Sequence, residues 1–462
     1  MSHELGRRGF LRRAGTGLAA IGSSPIWDWA GERQGVPTTA PREDSRWTSV
    51  PTREHYGDTE EKLEVPPSWD LRVHHMAGAK APVLTSEQIR QRIETPIGTK
   101  RLAEIASGKR TAIITFDDLT RATPTAEIVP HVLSELKLGG IRDDGILFLA
   151  SYGSHRPMVH EEAAHKLGPE CVGRYPWINH NIFENLVELG RTSRGNLIKV
   201  NRHFVQADVR VTISGVKSHV TAGYGGGAKA ILPGVAWIES IHYFHKTIGG
   251  LPGNENKTVG PCKIFKNECR LDMEEAARMA RADFSVQVVY NGYRKVVGVH
   301  AGDIVEAHHS ACRQANRLHR TEETRNADVV IVNAYPQNLQ ANIHLGWARS
   351  GLREGGTAVL IMQHPMGLQS WHYLDERWDY DPRPYYETAH TSRWTPKQAG
   401  QLIIYSAYVQ ARDKVHFPPD AIYTRTWADT LAAIRRAHRD SARVALYPYA
   451  GIQQAPADLD GD

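Results

Sequence analysis

The feature that most constrains this chain is an alternation, from Pro82 onward, of short runs rich in β-branched residues with longer segments of helical periodicity. This alternation is typical of α/β proteins, in which helices connect buried strands. We therefore predict an α/β fold with two α/β domains. The predicted strands fall into two groups, Thr111–Phe116, Ile146–Ala150 and Val209–Ser214, then Val329–Asn333, Ala358–Met362, Leu402–Ser406 and Val444–Tyr447.

The domain organisation follows from the segments around these strands. Between the two groups, the pattern predicts a helix over Arg270–Ala282 and a hairpin over Val286–Val299 that turns at Asn291-Gly292. We place the first domain at 68–312, the second at 313–450 and a tail at 451–462. Residues 31–67 are rich in Pro, Thr, Arg and Glu without apolar periodicity, so we expect a linker or wrapping arm there.

Composition excludes several classes of protein. The 462 residues are 41% hydrophobic and 23% charged, which rules out wholesale disorder. Lys and Arg exceed Asp and Glu by only 56 − 51 = 5, too few for a nucleic-acid-binding body. No apolar run approaches the roughly 18 residues of a membrane span. The four cysteines are too few and scattered for a zinc knuckle or disulfide framework, although one Cys262–Cys269 bridge is open to an exported protein.

Residues 1–30 resemble a twin-arginine export signal. The arginine pairs Arg7-Arg8 and Arg12-Arg13 precede a mildly apolar stretch, Ala14 to Ile26. We expect export to the periplasm by the twin-arginine machinery, which carries folded proteins with a cofactor already inserted. The alternative is a basic tail on a cytoplasmic protein.

Reactive side chains follow three predicted strands of the first group, where α/β sheets collect their ligands. Asp118, Thr120 and Arg121 follow the first strand, and His155 follows the second. The third is followed by a long segment that contains His219, Gly225, Gly226, Gly227 and Lys229, with His242 and His245 one helical stretch later.

Each of these features has a second interpretation. The glycine run can wrap an anion or form a plain tight loop, and no Gly-Lys-Ser/Thr makes it a phosphate loop. Lys229 is either a phosphate or covalent partner or a solvated side chain. Asp118 and Arg121 can form a structural ion pair, and loop histidines are often surface residues. His242 and His245 at i, i+3 permit metal binding without the zinc-protease signature.

Taken in order, these segments resemble the nickel-dependent lactate racemase family. The matched pieces are Asp-x-Thr-Arg-x-x-Pro at Asp118–Pro124, Ser-His-Arg-Pro-Met at Ser154–Met158, the glycine- and lysine-containing segment His219–Gly234, and His245. The resemblance covers roughly residues 82–310 well and the second domain loosely. It implies that the cofactor and substrate site lies in the cleft between the two domains.

The resemblance also implies a cofactor and a set of roles. Members bind a nickel pincer nucleotide, a pyridinium-3,5-bisthiocarboxylic acid mononucleotide that holds nickel. By analogy, His245 is a nickel ligand, and Lys229 can form a thioamide with the cofactor. The remaining implied roles are acid and base for His155 and His219, substrate-pocket residues for Asp118 and Arg121, and cofactor contacts for Thr120, Gly225, Gly226 and Gly227.

One departure bears on the substrate. Lactate-type members carry a Gln followed three positions later by a substrate-contacting Lys, whereas this chain keeps Gln340 but has Ile343, with His344 adjacent. We therefore expect a racemase or epimerase of a 2-hydroxy acid other than lactate, or of a polyol acid. Two other functions stay open: a metal-dependent hydrolase or lyase that uses His242, His245 and a carboxylate, and a non-catalytic protein that binds the cofactor or a sugar acid.

Overall fold

The computed structural model describes residues 46–250, 256–368 and 395–460. The described strands are β1 (Arg46–Thr52), β2 (Thr59–Val65), β3 (Asp70–Val73), β4 (Ala112–Phe116), β5 (Ile146–Ala150), β6 (Trp177–Asn179), β7 (Leu186–Arg191), β8 (Leu197–Asn201), β9 (Val209–Gly215), β10 (Ser218–His219), β11 (Gly223–Tyr224), β12 (Phe284–Tyr290), β13 (Val296–Gly302), β14 (Ala327–Asn333), β15 (Leu352–Ile361), β16 (Gln401–Tyr405), β17 (Ile422–Thr424) and β18 (Arg443–Tyr447). The α-helices are α1 (Ser86–Glu94), α2 (Leu102–Ala106), α3 (Thr125–Leu138), α4 (His160–Leu167), α5 (Pro169–Arg174), α6 (Arg202–Gln206), α7 (Ile238–Tyr243), α8 (Glu268–Met279), α9 (Glu306–His319), α10 (Gly346–Gly351) and α11 (Trp427–Ala437).

The first six-stranded sheet has the order β13-β12-β9-β4-β5-β6, and only the β12–β13 pair is antiparallel. Its central strands are continuous apolar runs because both faces are covered. Alternate residues of a strand point to opposite faces, so Ile114 and Phe116 enter one core while Ile113 enters the other. The carboxyl ends of β9, β4 and β5 therefore lie side by side at one edge of the sheet.

The second six-stranded sheet has the order β17-β16-β15-β14-β18-β3, and every pairing is parallel. Val330 and Val332 of β14 enter the core on one face, and Val329 and Ile331 enter the core on the other. On that second face, α11 and the β1–β2 hairpin supply the covering apolar side chains, among them Val50.

The α/β fold is confirmed, and each predicted strand overlaps an observed one. The predicted hairpin is β12–β13, and the predicted helix over Arg270–Ala282 is α8. Residues 46–65 of the predicted linker or wrapping arm contain β1 and β2, whose side chains Val50, Leu63 and Val65 are buried under the second sheet. The second sheet also contains β3, although β3 precedes the first sheet in the chain and lies within the predicted first domain.

The predicted domain boundary at 312/313 falls inside α9, which packs against β12 and β13. Residues 45–462, with both sheets, form one compact unit, so the two-domain division remains a prediction. The predicted tail is also packed in its described part, since Gln454 pairs with His319 through the backbone, and the Asp460 carboxylate accepts from the backbone N–H groups of residues 264–266.

Other predictions concern the membrane, the cysteines and the export signal. In the described ranges, no helix is both long and apolar enough to cross a membrane. The four cysteines are free and buried, so the optional Cys262–Cys269 bridge is not formed. The arginine pairs of the export signal lie outside the described residues.

Candidate active site

One pocket collects the side chains that follow β4, β5, β9 and β14. Its volume of about 540 Å³ lies within the usual size of small-molecule sites, roughly 300 to 1,000 Å³. The pocket lies where the carboxyl ends of adjacent parallel strands meet, as expected for α/β sheets. The structure thus brings together most of the predicted site residues: Asp118, Arg121, His155, His219, Gly226, Lys229, His245 and Gln340.

Asp118 and His155 form a buried pair at the first two strand ends. Nδ1 of His155 lies 2.8 Å from Asp118 Oδ2, and the Thr120 hydroxyl donates to Asp118 Oδ1 at 2.6 Å. Although burial alone would raise it, the pKa of Asp118 is held well below its usual value by His155, Arg121 and Thr120. A carboxylate only accepts hydrogen bonds, so Nδ1 of His155 carries a proton, and in the neutral imidazole Nε2 presents a lone pair.

Gln340 reaches the same imidazole from the segment after β14. Its Oε1 accepts from Arg121 Nη1 at 3.1 Å and from Gln337 Nε2 at 2.7 Å, so its amide NH₂ faces Nε2 of His155 at 3.4 Å. A donor at this position agrees with a lone pair on Nε2. In the described ranges, no carboxylate lies within ion-pair distance of Arg121, so the alternative of a structural Asp118–Arg121 ion pair is not what the structure shows. The Arg121 guanidinium therefore keeps donors for a ligand.

His219 has the opposite arrangement of its ring nitrogens. Its Nδ1 accepts from the backbone N–H groups of Thr221 and Ala222, both at 3.1 Å, so the neutral imidazole carries its proton on Nε2. That Nε2 lies 3.3 Å from Lys229 Nζ. Burial, and then the charge of Arg121, hold the pKa of Lys229 well below its usual value, so a neutral amine can accept from His219. The pocket thus contains one imidazole with a lone pair on Nε2 and one with an N–H on Nε2.

His245 lies on a π-helical turn, Phe244–Ile248, that continues α7. Its Nδ1 donates to the carbonyl of Ile241 at 2.8 Å, which leaves a lone pair on Nε2. Burial lowers its pKa to about 3, so it is neutral, as a metal ligand must be. His242 does not line the pocket. Among the described residues, no group of three or more His, Cys, Asp or Glu is placed to hold a metal ion.

The glycine run is shaped by the protein behind it. Gly226 and Gly227 have φ of 78° and 60°, and a Cβ would lie 2.5 Å from Gln287 Oε1 and 2.6 Å from His308 Cγ, respectively. The Gly227 N–H donates to Gln287 at 2.7 Å, and His308 donates to the carbonyl of Gly225 at 2.8 Å. Of the three glycines, only Gly226 lines the pocket, because internal partners occupy its neighbours. Thr120, also expected to contact the cofactor, is buried beneath the pocket beside Asp118.

Two buried cations that sequence reasoning missed hold the pocket loops. Arg270, from α8, is fully buried and donates to the carbonyls of Ala222, Tyr224 and Gly226. Lys166, from α4, forms a 2.6 Å ion pair with Asp117 and donates to the carbonyl of Arg121 at 3.0 Å. The available signal for Arg270 was its position among the apolar residues of an amphipathic helix.

Residues that sequence reasoning missed also connect the two halves of the site, which are the loops after the strands of the first sheet and the loops after the strands of the second sheet. Lys217 Nζ donates to Gln337 Oε1 and, at 2.9 Å, to the carbonyl of Gly451. The turn between β1 and β2 contacts both halves, since His55 Nε2 lies 3.2 Å from the carbonyl of Arg121, and the Glu54 carboxylate accepts from the Asn338 N–H at 2.5 Å. These contacts join segments far apart in sequence, so no local pattern predicted them.

The pocket, with two buried imidazoles of opposite tautomer among parallel strand ends, is the kind of site that an α/β enzyme has. Residues 56–256 match the family model of the lactate racemase N-terminal domain. The predicted resemblance to the lactate racemase family is therefore confirmed over residues 56–256.

Two relatives are both named lactate racemase. The protein from Lactiplantibacillus plantarum is 30% identical over 60% of this chain and 65% of its own length, slightly less than two thirds. The protein from Thermoanaerobacterium thermosaccharolyticum is 28% identical over 67% of this chain and 73% of its own.

Two solved structures share the fold. The lactate racemase apoprotein from Thermoanaerobacterium thermosaccharolyticum matches with a TM-score of 0.67 at 19% identity, over 89% of this chain and all of that one. A protein from Thermotoga maritima matches with a TM-score of 0.56 at 18% identity, over 82% of this chain and 99% of that one. At these identities the structures support the α/β fold alone.

Proposed function

We propose that this protein is a racemase or epimerase that inverts the hydroxyl-bearing carbon of a 2-hydroxy acid with a nickel pincer nucleotide as cofactor. The observation that carries the proposal is the pair of imidazoles with opposite proton positions in one pocket. Inversion needs one group that removes a proton and another that returns one. The names of the two relatives support the same reaction class.

The residues divide the work as their hydrogen bonds dictate. His155 Nε2 accepts the hydroxyl proton, while Asp118 stabilises the imidazolium that forms at Nδ1. Arg121 orients the substrate oxygens through its forked donors, and Gln340 fixes the alcohol beside His155. After the carbon inverts through a planar ketone, the imidazolium form of His219 returns a proton from Nε2 to the new alkoxide and becomes neutral. The opposite enantiomer uses the two histidines in reverse order.

The donor set fits the proposed cofactor. His245 offers a neutral Nε2 to nickel, and Lys229 offers an uncharged amine that can condense with a thiocarboxylic acid to a thioamide with loss of water. The protein offers no metal cage of its own within the described ranges, so most ligands of a bound nickel would come from the cofactor. When bound, the pincer nucleotide would accept and return the carbon-bound hydrogen as hydride, which avoids a carbanion at a weakly acidic carbon.

We extend the proposal to a substrate other than lactate. Ile343 lines the pocket where lactate-type members carry a lysine, so one cation for a small carboxylate is missing at this position. A longer 2-hydroxy acid or a polyol acid can make contacts elsewhere in the site. Lactate turnover well above that of every other 2-hydroxy acid would contradict this part of the proposal.

The cofactor is tested by intact mass and metal analysis of protein made in a host that synthesises the pincer nucleotide. We expect about one nickel per chain and a mass increment on the Lys229 peptide, which the Lys229→Ala variant loses. Nickel without the increment would indicate non-covalent binding, and zinc or no metal would contradict the cofactor proposal.

Turnover is tested with the same loaded protein on single enantiomers of 2-hydroxy acids, separated on a chiral column. His155→Asn and His219→Asn are each expected to lose at least ~10²-fold in rate, the lower end for a general acid or base. His309→Asn is the matched control, because His309 is a partly buried histidine paired with Glu274 and does not line the pocket. Equal losses in all three variants would contradict the assigned roles.

The same experiments separate the two other functions. A zinc-dependent hydrolase or lyase activity that survives Lys229→Ala would favour the metal-dependent hydrolase. A parent without turnover, and ligand affinity unchanged when His155 and His219 are both replaced by alanine, would favour a binding protein.

We also propose export by the twin-arginine machinery. The support is the sequence pattern of residues 1–30 alone. Cell fractionation tests this proposal. The parent should appear in the periplasm, and the double variant Arg7→Lys, Arg8→Lys should stay in the cytoplasm. An unchanged distribution would contradict export by this route.

A further inference from the structure

A second chamber adjoins the active-site pocket. His219, Val220, Gln340 and Ile343 line both spaces, so these side chains form a shared wall. Lys217 lines the chamber but not the pocket. The reaction described above uses none of the residues that line the chamber alone.

Lys217 is a lysine without an ion-pair partner among the described residues. It is partly buried, and its ammonium group donates to two neutral acceptors, Gln337 Oε1 and the carbonyl of Gly451. An ammonium has three donors, so one is left over. In the part of the chain that the structure describes, no carboxylate lies within ion-pair distance of Lys217. Glu323 also lines the chamber, but it forms no ion pair with Lys217 in the described part of the chain.

The surroundings make an anion the natural partner. Burial, and then the positive charge of Arg121, lower the pKa of Lys217 to about 7, which means that the ammonium form lacks compensation in the structure. An anion at the third donor would supply that compensation and favour the charged form. An uncharged hydroxyl would satisfy the donor but leave the charge unpaired.

We infer that Lys217 is an anion subsite for a second carboxylate of the substrate, so that the substrate is a 2-hydroxy dicarboxylic acid. The inference rests on the proposed function and narrows its substrate class. The carboxylate next to the reacting carbon belongs in the pocket with Arg121. Gln337 and Gln340 lie between Lys217 and His155 in an unbroken chain of hydrogen bonds, so Lys217 suits a group farther along the substrate.

The test compares substrates of equal length with and without the second carboxylate. We would measure kcat/KM of the cofactor-loaded enzyme for 2-hydroxyglutarate against 2-hydroxyvalerate, and for 2-hydroxyadipate against 2-hydroxyhexanoate. The parent should prefer the dicarboxylic member of at least one pair by tenfold or more. Lys217→Met should lower that preference about 45-fold, the middle of the range for a hydrogen bond to a charged group. Lys217→Arg should retain part of it.

Gln337→Leu is the matched control. It removes the contacts of Gln337 with Gln340 and with Lys217 but keeps the lysine, which still donates to the carbonyl of Gly451, so both substrates of a pair should slow and the preference for the dicarboxylic acid should persist. If Lys217→Met also slows both equally, Lys217 only positions Gln337 and the subsite is refuted. A parent without preference for either dicarboxylic acid, or with a preference for gluconate over both, refutes it as well.

Binding measurements separate this inference from the proposed function. If the loaded parent inverts none of these acids, calorimetry with 2-hydroxyglutarate and 2-hydroxyvalerate decides the matter. Tighter binding of the dicarboxylic acid that Lys217→Met abolishes would uphold the subsite while the racemase proposal fails. Equal binding of the two acids would refute the subsite.

Discussion

The Asp118→Asn substitution should remove the proton-accepting lone pair of His155 Nε2 while leaving the shape of the pocket intact. Arg121 Nη1 donates to the Thr120 hydroxyl oxygen at 2.8 Å, and the single hydroxyl proton is donated to Asp118 Oδ1. An asparagine must therefore turn its carbonyl toward Thr120 and its NH₂ toward His155 Nδ1. That donor moves the imidazole proton to Nε2, where it faces the NH₂ of Gln340.

The expected loss is about 10³-fold in kcat. A positioned general base contributes roughly 10² to 10⁴, and the wrong tautomer removes nearly all of it. This corresponds to about 4 kcal/mol, at about 1.36 kcal/mol per factor of ten. The assay is initial rate of inversion of each enantiomer by cofactor-loaded protein, with nickel content measured on the same samples.

A second substitution tests the tautomer argument itself. Replacing Thr120 by valine in the Asp118→Asn background removes the hydroxyl that orients the amide. The asparagine carbonyl can then face His155 Nδ1, so we expect the double variant to recover about tenfold over the single variant. A double variant slower than the single one, or an Asp118→Asn enzyme within tenfold of the parent, would refute the reasoning.

Three further predictions concern stability and cofactor loading. Burial raises the pKa of Glu54 from 4.5 to about 7, so the folded state holds this proton more tightly than the unfolded state does. The contribution of Glu54 to the free energy of unfolding is therefore full below pH 4.5, and about 3 kcal/mol of it is lost as the pH rises to 7. Urea unfolding of parent and Glu54→Gln should diverge by this amount between pH 4.5 and 8, and a constant difference would contradict the shift. Arg270→Met should cost about 3 kcal/mol in the same assay, since it leaves buried carbonyls unpaired, and a loss below 1 kcal/mol would contradict its role. His245→Ala should lose most of the nickel but keep the mass increment on Lys229, and full nickel content would contradict coordination by His245.

Much of the fold could be predicted because the central strands are fully buried. Ala112–Phe116 is apolar apart from one threonine and lies beneath helices on both faces, so its pattern is continuous. The β1–β2 hairpin escaped prediction because only one face is buried, and its few apolar residues, such as Val50 and Leu63, are spaced among Thr, Glu and Lys. The pairing of β3 with β18 joins chain segments more than 370 residues apart, which no local pattern records.

The candidate site was predictable in its residues but not in its proton positions. Asp118, His155, His219 and Lys229 follow strand ends, and the structure brings them to one pocket. Which nitrogen of His219 carries the proton depends on two backbone N–H groups whose direction only the folded loop determines. Gly227 was expected to contact the cofactor, but the residue that requires a glycine there is His308, 81 positions away in the sequence.

The most direct test of the central claim follows one hydrogen atom. Cofactor-loaded enzyme is given a single enantiomer of a 2-hydroxy acid deuterated at carbon 2. The opposite enantiomer is then isolated, and its deuterium content is measured by mass spectrometry. Inversion by hydride transfer, with His155 and His219 moving only the hydroxyl proton, predicts an inverted product that keeps its deuterium. An inverted product with hydrogen from water at carbon 2, or no inverted product at all, would contradict the account.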